Sequence, residues 1–346
     1  MSIELKPIDR KTYQEKIRDF LPARLIDIHT HIWRKSFAVA GQEAGSPAAW
    51  ADRVAPENAL DDLARDYRQM LPRQEVIPLL FGYPSRAVDP QANNAWVREV
   101  SRVSRYPALF LSTPDMPALV LEAEVRLGRF RGLKPYPDFA PPALDAKDVS
   151  IFDFLPRAHL EVADANRWIV MLHIPRPGRL SDPLNLKQLV EIEKAFPNLR
   201  LIVAHLGRAY CPEDLGDALD VLRRTGRLYF DLSANTCSHV MEKMLQAVGN
   251  RRILFGSDMP ITRMRMGRVC EAGGYVNLVP RGMYGDVSAD AHMREVDKAE
   301  AGNLTFFLYE EILAFRRAAE ALNLSSAQIE DVFFGNAHRL LFENGE

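Results

Sequence analysis

Eight short apolar runs, each followed by a stretch with helical periodicity, constrain the fold of this chain more than any other feature. The runs span residues 25–32, 76–83, 108–113, 130–136, 168–174, 199–206, 228–233 and 253–258. Strands that alternate with helices form parallel βαβ units, and eight such units predict a (β/α)8 TIM barrel. An open doubly wound sheet is the alternative, but the sequence lacks the glycine-rich phosphate turn expected after an early strand of that fold.

Two connections are longer than ordinary barrel loops. They span residues 33–58, after the first strand, and 261–303, after the eighth. Both leave the carboxyl ends of strands, where barrel active sites lie, so we expect lids, binding loops or assembly surfaces. The sequence therefore predicts one domain over residues 1–346, with barrel strands at about 25–258, a lid or insert at 261–303 and C-terminal helices at 304–343.

Composition and charge restrict the class of protein. The 346 residues are 47% hydrophobic, which supports a large core, and the net charge of −2 gives no reason to expect nucleic acid or an anionic membrane as a partner. No apolar segment is long enough to span a bilayer, and the charged N-terminus does not resemble a secretory signal. We expect a cytoplasmic protein. Cys211, Cys237 and Cys270 form no C-x-x-C pair, which predicts neither a disulfide framework nor a zinc knuckle.

Polar residues follow the apolar runs at the positions where strands should end. Asp27, His29 and His31 alternate along the first run, so they should share one side of a strand, with Ile26 and Ile28 packing outward on the other. Two imidazoles so placed suit a divalent metal, although ordinary loop histidines would show the same spacing. Four of the other runs carry a polar residue at or near their end, namely Lys134, His173, His205 and Asp258. Their recurrence predicts one polar site at the barrel mouth.

These motifs resemble the amidohydrolase superfamily, in particular the amidohydrolase-related branch. That branch includes aminocarboxymuconate-semialdehyde decarboxylase, other aromatic-acid decarboxylases and several lactone hydrolases. The resemblance covers nearly the whole chain. It rests on Asp27-Ile-His-Thr-His31, Gly132-Leu-Lys134, His173, Ala204-His-Leu-Gly207, Gly256-Ser-Asp258 and Gly335-Asn-Ala-His-Arg339. The last motif is expected to be structural, with Asn336 joining the terminal helix to the barrel bottom.

The resemblance implies a ligand set for one divalent metal, with Zn²⁺ preferred. The implied ligands are His29, His31, His173 and Asp258, which leave room for a water or a substrate oxygen. Such a metal activates water at neutral pH. Asp258 is also expected to accept the proton of that water, and His205 to act as a general acid or base or to polarise a carbonyl.

Lys134 leaves the number of metals open. In binuclear relatives a lysine at this position is carbamylated and bridges two metals, and this chain has every residue for that arrangement. We favour the single-metal interpretation, in which the Lys134 ammonium binds a substrate carboxylate or carbonyl. An internal salt bridge, for example with Asp138, is the structural alternative.

Further substrate-binding residues are expected at the strand-end loops. Tyr136 follows Lys134, and Arg176 and Arg208 each lie three residues past a site histidine. The connection after the eighth strand adds Arg263, Arg265, Arg268, Arg281 and Tyr284. Such a cluster can clamp a carboxylate, but it is equally compatible with a solvated lid or an oligomer interface.

The leading functional hypothesis is a metal-dependent hydrolase that opens a C–O or C–N bond, such as that of a lactone, in a small carboxylated substrate through metal-activated water. The alternative is a metal-dependent non-oxidative decarboxylase (a lyase) of a small unsaturated or aromatic acid. A non-catalytic barrel is a third hypothesis from another class. The expected partners are a small-molecule substrate and a second copy of the chain in a homodimer.

Overall fold

Eight parallel strands follow one another along the chain in the computed structural model, which describes residues 4–41, 50 and 53–343. They are β1 (Arg24–His31), β2 (Glu75–Phe81), β3 (Phe110–Ser112), β4 (Gly132–Pro135), β5 (Ile169–Leu172), β6 (Arg200–Val203), β7 (Tyr229–Asp231) and β8 (Ile253–Leu254). Each lies within one of the eight predicted runs or overlaps it closely.

The strands close into a barrel. β1 pairs with β2, and β3 to β8 form one sheet in sequence order. A parallel bridge joins Leu80 to Ala108 between β2 and β3, and another joins Thr30 to Met259 between β1 and the segment after β8. At that second junction the Asp258 amide donates to the His29 carbonyl at 2.8 Å. The predicted TIM barrel is confirmed.

Twelve helices of the described residues connect or cover the strands. They are α1 (Pro7–Thr12), α2 (Leu60–Met70), α3 (Pro90–Ser104), α4 (Ala118–Leu127), α5 (Ile151–Phe154), α6 (Arg157–Ala165), α7 (Pro183–Ala195), α8 (Ala218–Leu222), α9 (Ser238–Val248), α10 (Lys298–Ala301), α11 (Phe307–Ala321) and α12 (Ser326–Glu330). Short helical turns also occur at His205–Arg208 and Asn336–His338.

Local sequence explains where several helices begin. Asp89 and Asp182 each accept two backbone N–H groups at the start of α3 and α7, and a proline follows each aspartate. Proline suits the first helical position because the N–H that it lacks has no partner within the helix. Ser325 caps α12, because its side chain accepts the Gln328 amide.

Side-chain alternation along β1 differs from the prediction. The register with β2 shifts between Asp27 and Thr30. Ile26 and Ile28 pack with apolar residues of the other strands and of the C-terminal helical segment, inside the barrel rather than outside it. The Asp27 carboxylate instead accepts the Tyr67 hydroxyl of α2 at 2.6 Å. The irregularity breaks the two-residue period on which the prediction depended.

Asn336 closes the base of the barrel as expected. Its side-chain amide donates to the carbonyls of Asn250 and Ile253, at 2.8 and 2.7 Å. This ties the terminal helical segment to the start of β8.

The connection after β8 contains a small sheet of its own. β9 (Gly267–Glu271) and β10 (Gly274–Pro280) are antiparallel, and β11 (Met293–Val296) pairs with β10 in parallel. We call residues 261–303 the insertion. A buried ion pair between Arg265 and Asp9, at 2.6 Å, anchors it to α1.

The absence of a disulfide was predicted wrongly. Cys211, after β6, is bonded to Cys270 on β9, with 5.8 Å between their Cα atoms, and Cys237 is free. The two residues are 59 positions apart in the sequence. Spacing could not reveal the pair because they meet only when the insertion folds back over the barrel mouth.

The long connection after β1 is described in part. Trp33 and Asn58 pair through two backbone hydrogen bonds, which close its base. Residues 42–49 and 51–52 of the expected loop lie outside the described residues, whereas Trp50 is buried. Among the described helices, none has the length and apolar character needed to cross a membrane.

Candidate metal centre

Side chains from four strand ends meet at the mouth of the barrel. The potential ligand atoms of His29, His31 and Asp258 lie within 4.8 Å of one another, and those of His29, His173 and His205 form a second such group. The structure thus brings together all four sequence-predicted metal ligands. It also places His205, for which a catalytic role was predicted, within the same reach as the ligands.

Unusual backbone conformations position these residues. The four consecutive residues His205–Arg208 all have positive φ, between 51° and 66°, and Asp258 has a φ of 60°. This left-handed region is unfavourable for residues other than glycine, so such conformations persist where surrounding contacts enforce them. Here the turn directs the His205 amide to Asp231 at 2.8 Å.

Two glycines of the sequence motifs permit close packing at the site. A Cβ on Gly132 would lie 1.8 Å from the Ile169 carbonyl oxygen of β5. A Cβ on Gly256 would lie 2.8 Å from the Cβ of His29. Glycine therefore allows β4 and the end of β8 to approach their neighbours at the level of Lys134 and Asp258.

One ring nitrogen of each β1 histidine makes a hydrogen bond that fixes the position of a ring proton. His31 Nδ1 lies 3.1 Å from the Gly82 carbonyl oxygen, and His29 Nδ1 lies 3.0 Å from the Asp231 carboxylate. Because these oxygens can only accept, each Nδ1 carries a proton, and Nε2 is the ring nitrogen left to face the site. Those Nε2 atoms face Asp258 Oδ1, at 3.2 Å for His31 and 3.5 Å for His29.

His205 also has its Nδ1 beside an acceptor. His205 Nδ1 lies 2.9 Å from the Ser233 carbonyl oxygen, so the proton is placed on Nδ1 and the lone pair on Nε2. His205 Nε2 lies 2.7 Å from His173 Nε2. A histidine that binds a metal normally donates its other ring N–H to a carbonyl or carboxylate in this way.

The ionisation of these groups favours a bound cation. Burial lowers the pKa of His29 to about 4, and it lowers the pKa of His173 and of His205. Burial raises the pKa of Asp258, but the surrounding imidazoles outweigh it and the net pKa lies below the ordinary value. Neutral imidazoles therefore face a carboxylate, and His29 Nε2 is buried without a hydrogen-bond partner. This donor set fits a divalent metal.

Asp231 and Ser233 support the ligands. The end of the seventh apolar run predicts that both line the pocket, whereas in the structure both are fully buried and outside the cavity lining. Besides His29, the Asp231 carboxylate accepts the amides of His205 and Ser233, and it lies beneath the ligands. Burial raises its pKa, but its contacts with His29 and Ser233 hold the pKa at about 2. Its place at the end of the seventh apolar run was the signal available in the sequence.

Lys134 is buried without a hydrogen-bond partner among the described residues. The rings of Phe81 and Tyr136 lie 5.2 and 5.5 Å from its Nζ. Burial lowers the pKa of Lys134 to about 7, against the opposing effect of Asp231 and Asp258. The salt bridge to Asp138 considered above does not form, because Asp138 accepts the amide of Arg86 instead.

A cavity of about 490 Å³ lies above the candidate ligands, and His31, His173, His205 and Asp258 line it. Of the predicted substrate-binding residues, Tyr136 and Arg208 line it too. The Tyr136 ring is 4.7 Å from that of His173, and Arg208 donates to the carbonyls of Ile174 and Pro175.

Arg176 does not reach the cavity, contrary to expectation. Its Nε lies 3.0 Å from Asp182, the residue that caps α7. The ion pair holds the guanidinium at the helix start, so the structure gives Arg176 no part in the cavity wall. The position of Arg176 three residues after His173 did not predict the direction of its side chain.

The polar residues of the insertion have different surroundings. Arg263 pairs with Asp66, Arg265 pairs with Asp9, and Arg281 lies 4.0 Å from Glu295. The Tyr284 hydroxyl accepts the Arg265 amide. Arg268 lines the cavity.

Solved structures with the same fold include several metal-bound proteins. An amidohydrolase from Burkholderia multivorans with bound zinc is 16% identical, with a TM-score of 0.55, and the match covers 92% of this chain and 99% of that one. A dihydroxybenzoic acid decarboxylase from Polaromonas sp. JS666, with bound manganese and 2-nitroresorcinol, is 14% identical, with a TM-score of 0.54 over 93% and 98% of the two chains. At such identities the likeness establishes the fold.

A third similar structure has another proposed activity. A candidate 2-pyrone-4,6-dicarboxylic acid hydrolase from Pseudomonas putida is 16% identical, with a TM-score of 0.54, over 94% of this chain and 100% of that one. The sequence has no significant match among curated proteins. The amidohydrolase family profile, however, matches residues 26–342, and on that match the chain belongs to the amidohydrolase family.

Proposed function

We propose that the protein is a divalent-metal-dependent hydrolase that acts on a small carboxylated substrate, such as a lactone. One observation carries the proposal. Ring nitrogens of buried imidazoles and an ionised Asp258 converge around His29 Nε2, which has no hydrogen-bond partner in the part of the chain that the structure describes. His29, His31, His173 and Asp258 would hold the metal, with Zn²⁺ preferred, and His205 is close enough to join them.

A bound divalent metal would activate water and polarise a carbonyl group. The residues of the chain supply the proton transfers. Asp258 is ionised at neutral pH and lines the cavity, so it can accept a proton from an attacking water. His205 presents an unprotonated Nε2 at the same place, and its Nδ1 is fixed by Ser233, which keeps the ring oriented for acid–base work.

Substrate binding is assigned to Tyr136 and Arg208, which line the cavity, whereas Lys134 is buried outside its lining. Burial raises the pKa of Tyr136, so its hydroxyl stays protonated and can donate a hydrogen bond. Arg208 brings a permanent positive charge to the cavity wall. Lys134 lies near the switch between ammonium and neutral amine, and its neutral form is the one that reacts with CO₂. A carbamylated Lys134 in a binuclear site therefore remains the alternative to a single metal.

Non-oxidative decarboxylation of a small unsaturated or aromatic acid is the second candidate reaction. A decarboxylase and a candidate lactone hydrolase share this fold at the same TM-score, 0.54. The same cavity offers a cation site beside Arg208, which suits a carboxylate leaving as CO₂ as well as a lactone carbonyl.

Metal analysis of the purified chain tests the first part of the proposal. We expect about one equivalent of a divalent metal per chain in the single-metal form, and a loss of at least 90% of it in His29→Ala and Asp258→Ala. Asp66→Asn changes a buried carboxyl remote from the cavity and serves as the control. Equal metal content in all four proteins would contradict the proposal.

Product analysis tests the second part. The metal-loaded protein is incubated with carboxylated lactones and with hydroxylated aromatic acids, and both acid release at constant pH and CO₂ release are followed. Acid release from a lactone supports the hydrolase, and CO₂ release supports the decarboxylase. Activity that survives chelation of the metal would overturn both.

A further inference from the structure

Arg268 occupies an unusual position on the cavity wall. It lies on β9, in the insertion, and its guanidinium carbon is 4.7 Å from the Tyr210 ring, 4.5 Å from the Tyr275 ring and 4.7 Å from the Phe307 ring. We call these four residues the aromatic wall. Three rings around one guanidinium fix its position and stabilise its charge.

The hydrogen bonds of Arg268 leave part of the guanidinium available. Nε donates to Asn277 at 2.8 Å and one Nη1 hydrogen donates to the Ala234 carbonyl at 2.7 Å. Of the five N–H groups of an arginine, three thus have no acceptor among the residues that the structure describes. Nη2 keeps both of its hydrogens and Nη1 keeps one, and two neighbouring N–H groups of a guanidinium can make parallel hydrogen bonds to a carboxylate.

The charge of Arg268 is not balanced by a side chain. No carboxylate of the described ranges lies within 4 Å of its nitrogens, and burial raises the pKa of nearby Glu311 well above its ordinary value, which favours the neutral acid. A partly buried guanidinium without a counter-ion is stabilised when a ligand supplies the negative charge.

Arg179 gives the comparison within the same cluster. Its guanidinium carbon is also close to Tyr210 and Tyr275, at 5.6 and 4.9 Å. Its Nη1, however, contacts both oxygens of Asp214, at 2.8 and 2.9 Å. Arg179 does not line the cavity, whereas Arg268 does. The chain therefore neutralises the arginine that faces the protein and leaves the one that faces the cavity without an acid.

We propose that Arg268 is a specificity-determining residue that binds a carboxylate of the substrate on the side of the cavity formed by the aromatic wall. This assignment rests on the proposed function, because it takes the bound molecule to be the substrate. It adds the position of the carboxylate in the cavity and the residue that selects it. The insertion then serves to carry the recognition residue, and the Cys211–Cys270 bond fixes β9 to the segment that holds Tyr210.

Binding measurements on the full chain test this assignment. The probe is benzene-1,3-dicarboxylate, with the neutral benzene-1,3-dicarboxamide as its matched control, titrated calorimetrically. In Arg268→Met we expect the affinity for the dicarboxylate to fall about 10- to 100-fold, as for a charged hydrogen-bonded pair, and that for the diamide to change less than about twofold. Arg268→Lys should recover part of the loss, since a lysine keeps the charge but not the paired geometry.

Arg179→Met provides the structural control, because it removes a guanidinium from the same rings without touching the cavity. Equal losses in Arg179→Met and Arg268→Met would overturn the assignment, as would a wild-type protein that does not distinguish the dicarboxylate from the diamide. Circular dichroism and thermal unfolding establish that each variant is folded.

Chelated and metal-loaded samples separate this inference from the proposed function. Dependence of carboxylate binding on Arg268 should persist after chelation, because the aromatic wall contains no proposed metal ligand. A protein that retains metal but binds carboxylates independently of Arg268 would contradict only the present inference. A protein that binds no metal yet needs Arg268 for the carboxylate would contradict only the proposed function.

Discussion

The two sides of the cavity have opposite electrostatic requirements. On one side, His29, His31, His173, His205 and Asp258, which we call the barrel wall, direct lone pairs into the cavity. On the other, the aromatic wall presents unpartnered N–H groups of Arg268. The first arrangement needs a cation and the second needs an anion. A substrate with a carboxylate at one end and a reactive carbonyl or carboxyl group at the other would satisfy both and be oriented by them.

The two walls also differ in how they are supported. The barrel wall is built on strand ends whose positions follow from the barrel, and Asp231 and Ser233 orient its histidines. The aromatic wall depends on an insertion held by one disulfide and by contacts with distant segments. Changes on one side should therefore leave the other intact, and that independence can be measured.

Removal of the disulfide should have the largest effect. Cys270→Ser is expected to lower the free energy of unfolding by about 2–4 kcal/mol, because the bond closes a long loop in the unfolded chain. It should weaken carboxylate binding but leave the metal content unchanged. Urea unfolding and metal analysis check these expectations. Cys237→Ser, which changes the free cysteine, is the control, and loss of metal in Cys270→Ser would show that the two walls are not independent.

Replacement of Asp231 should affect the barrel wall alone. Asp231→Asn keeps the shape of the side chain but removes the charge that accepts His29 Nδ1–H. Loss of such a partner typically weakens metal binding about 10- to 100-fold. Competition with a chelator of known affinity measures the change, with Asp66→Asn as the control. Unaltered metal affinity in this variant would contradict a role of Asp231 in the metal site. Altered carboxylate binding in the chelated protein would show that Asp231 also affects the aromatic wall.

The pH dependence of stability should reveal the buried amine of Lys134. In the chelated protein its folded pKa is about 7 and its ordinary value is 10.5. Between these values the unfolded chain holds a proton that the folded chain lacks, so the stability cost of burying this amine is complete below pH 7 and shrinks as pH rises toward 10.5. In this window the free energy of unfolding of the wild type should rise, relative to that of Lys134→Met, by roughly 1 kcal/mol per pH unit. Parallel profiles from urea unfolding at pH 6.5, 8 and 9.5 would argue against it.

A smaller effect is expected from one ring of the aromatic wall. Phe307→Leu keeps an apolar side chain but removes the ring 4.7 Å from the Arg268 guanidinium. A cation–π contact of about 0.5–1 kcal/mol corresponds to a two- to fivefold weaker binding of benzene-1,3-dicarboxylate. Calorimetry checks this value, and Phe306→Leu, next to it on the chain, is the control. A loss as large as that of Arg268→Met would mean that the ring itself contacts the ligand.

The sequence alone determined the barrel and the composition of its mouth. Apolar runs that close in a polar residue and alternate with helices predict parallel strands. Parallel strands have their carboxyl ends at the same rim of the barrel. The residues at these strand ends could therefore be grouped without coordinates, and the resemblance to the amidohydrolase branch implied His29, His31, His173 and Asp258 as the ligands among them. Periodicity failed within β1, where an irregular register placed Ile26 and Ile28 inside the barrel.

Only the tertiary structure decided the remaining features of the site. The direction of a side chain in a loop depends on its partners, so Arg176 turned to Asp182 while Arg208 faced the cavity. The Cys211–Cys270 bond and the aromatic wall depend on the path of the insertion, which no local pattern encodes. Contacts between segments distant in sequence are fixed by packing and burial, and these are properties of the folded chain as a whole.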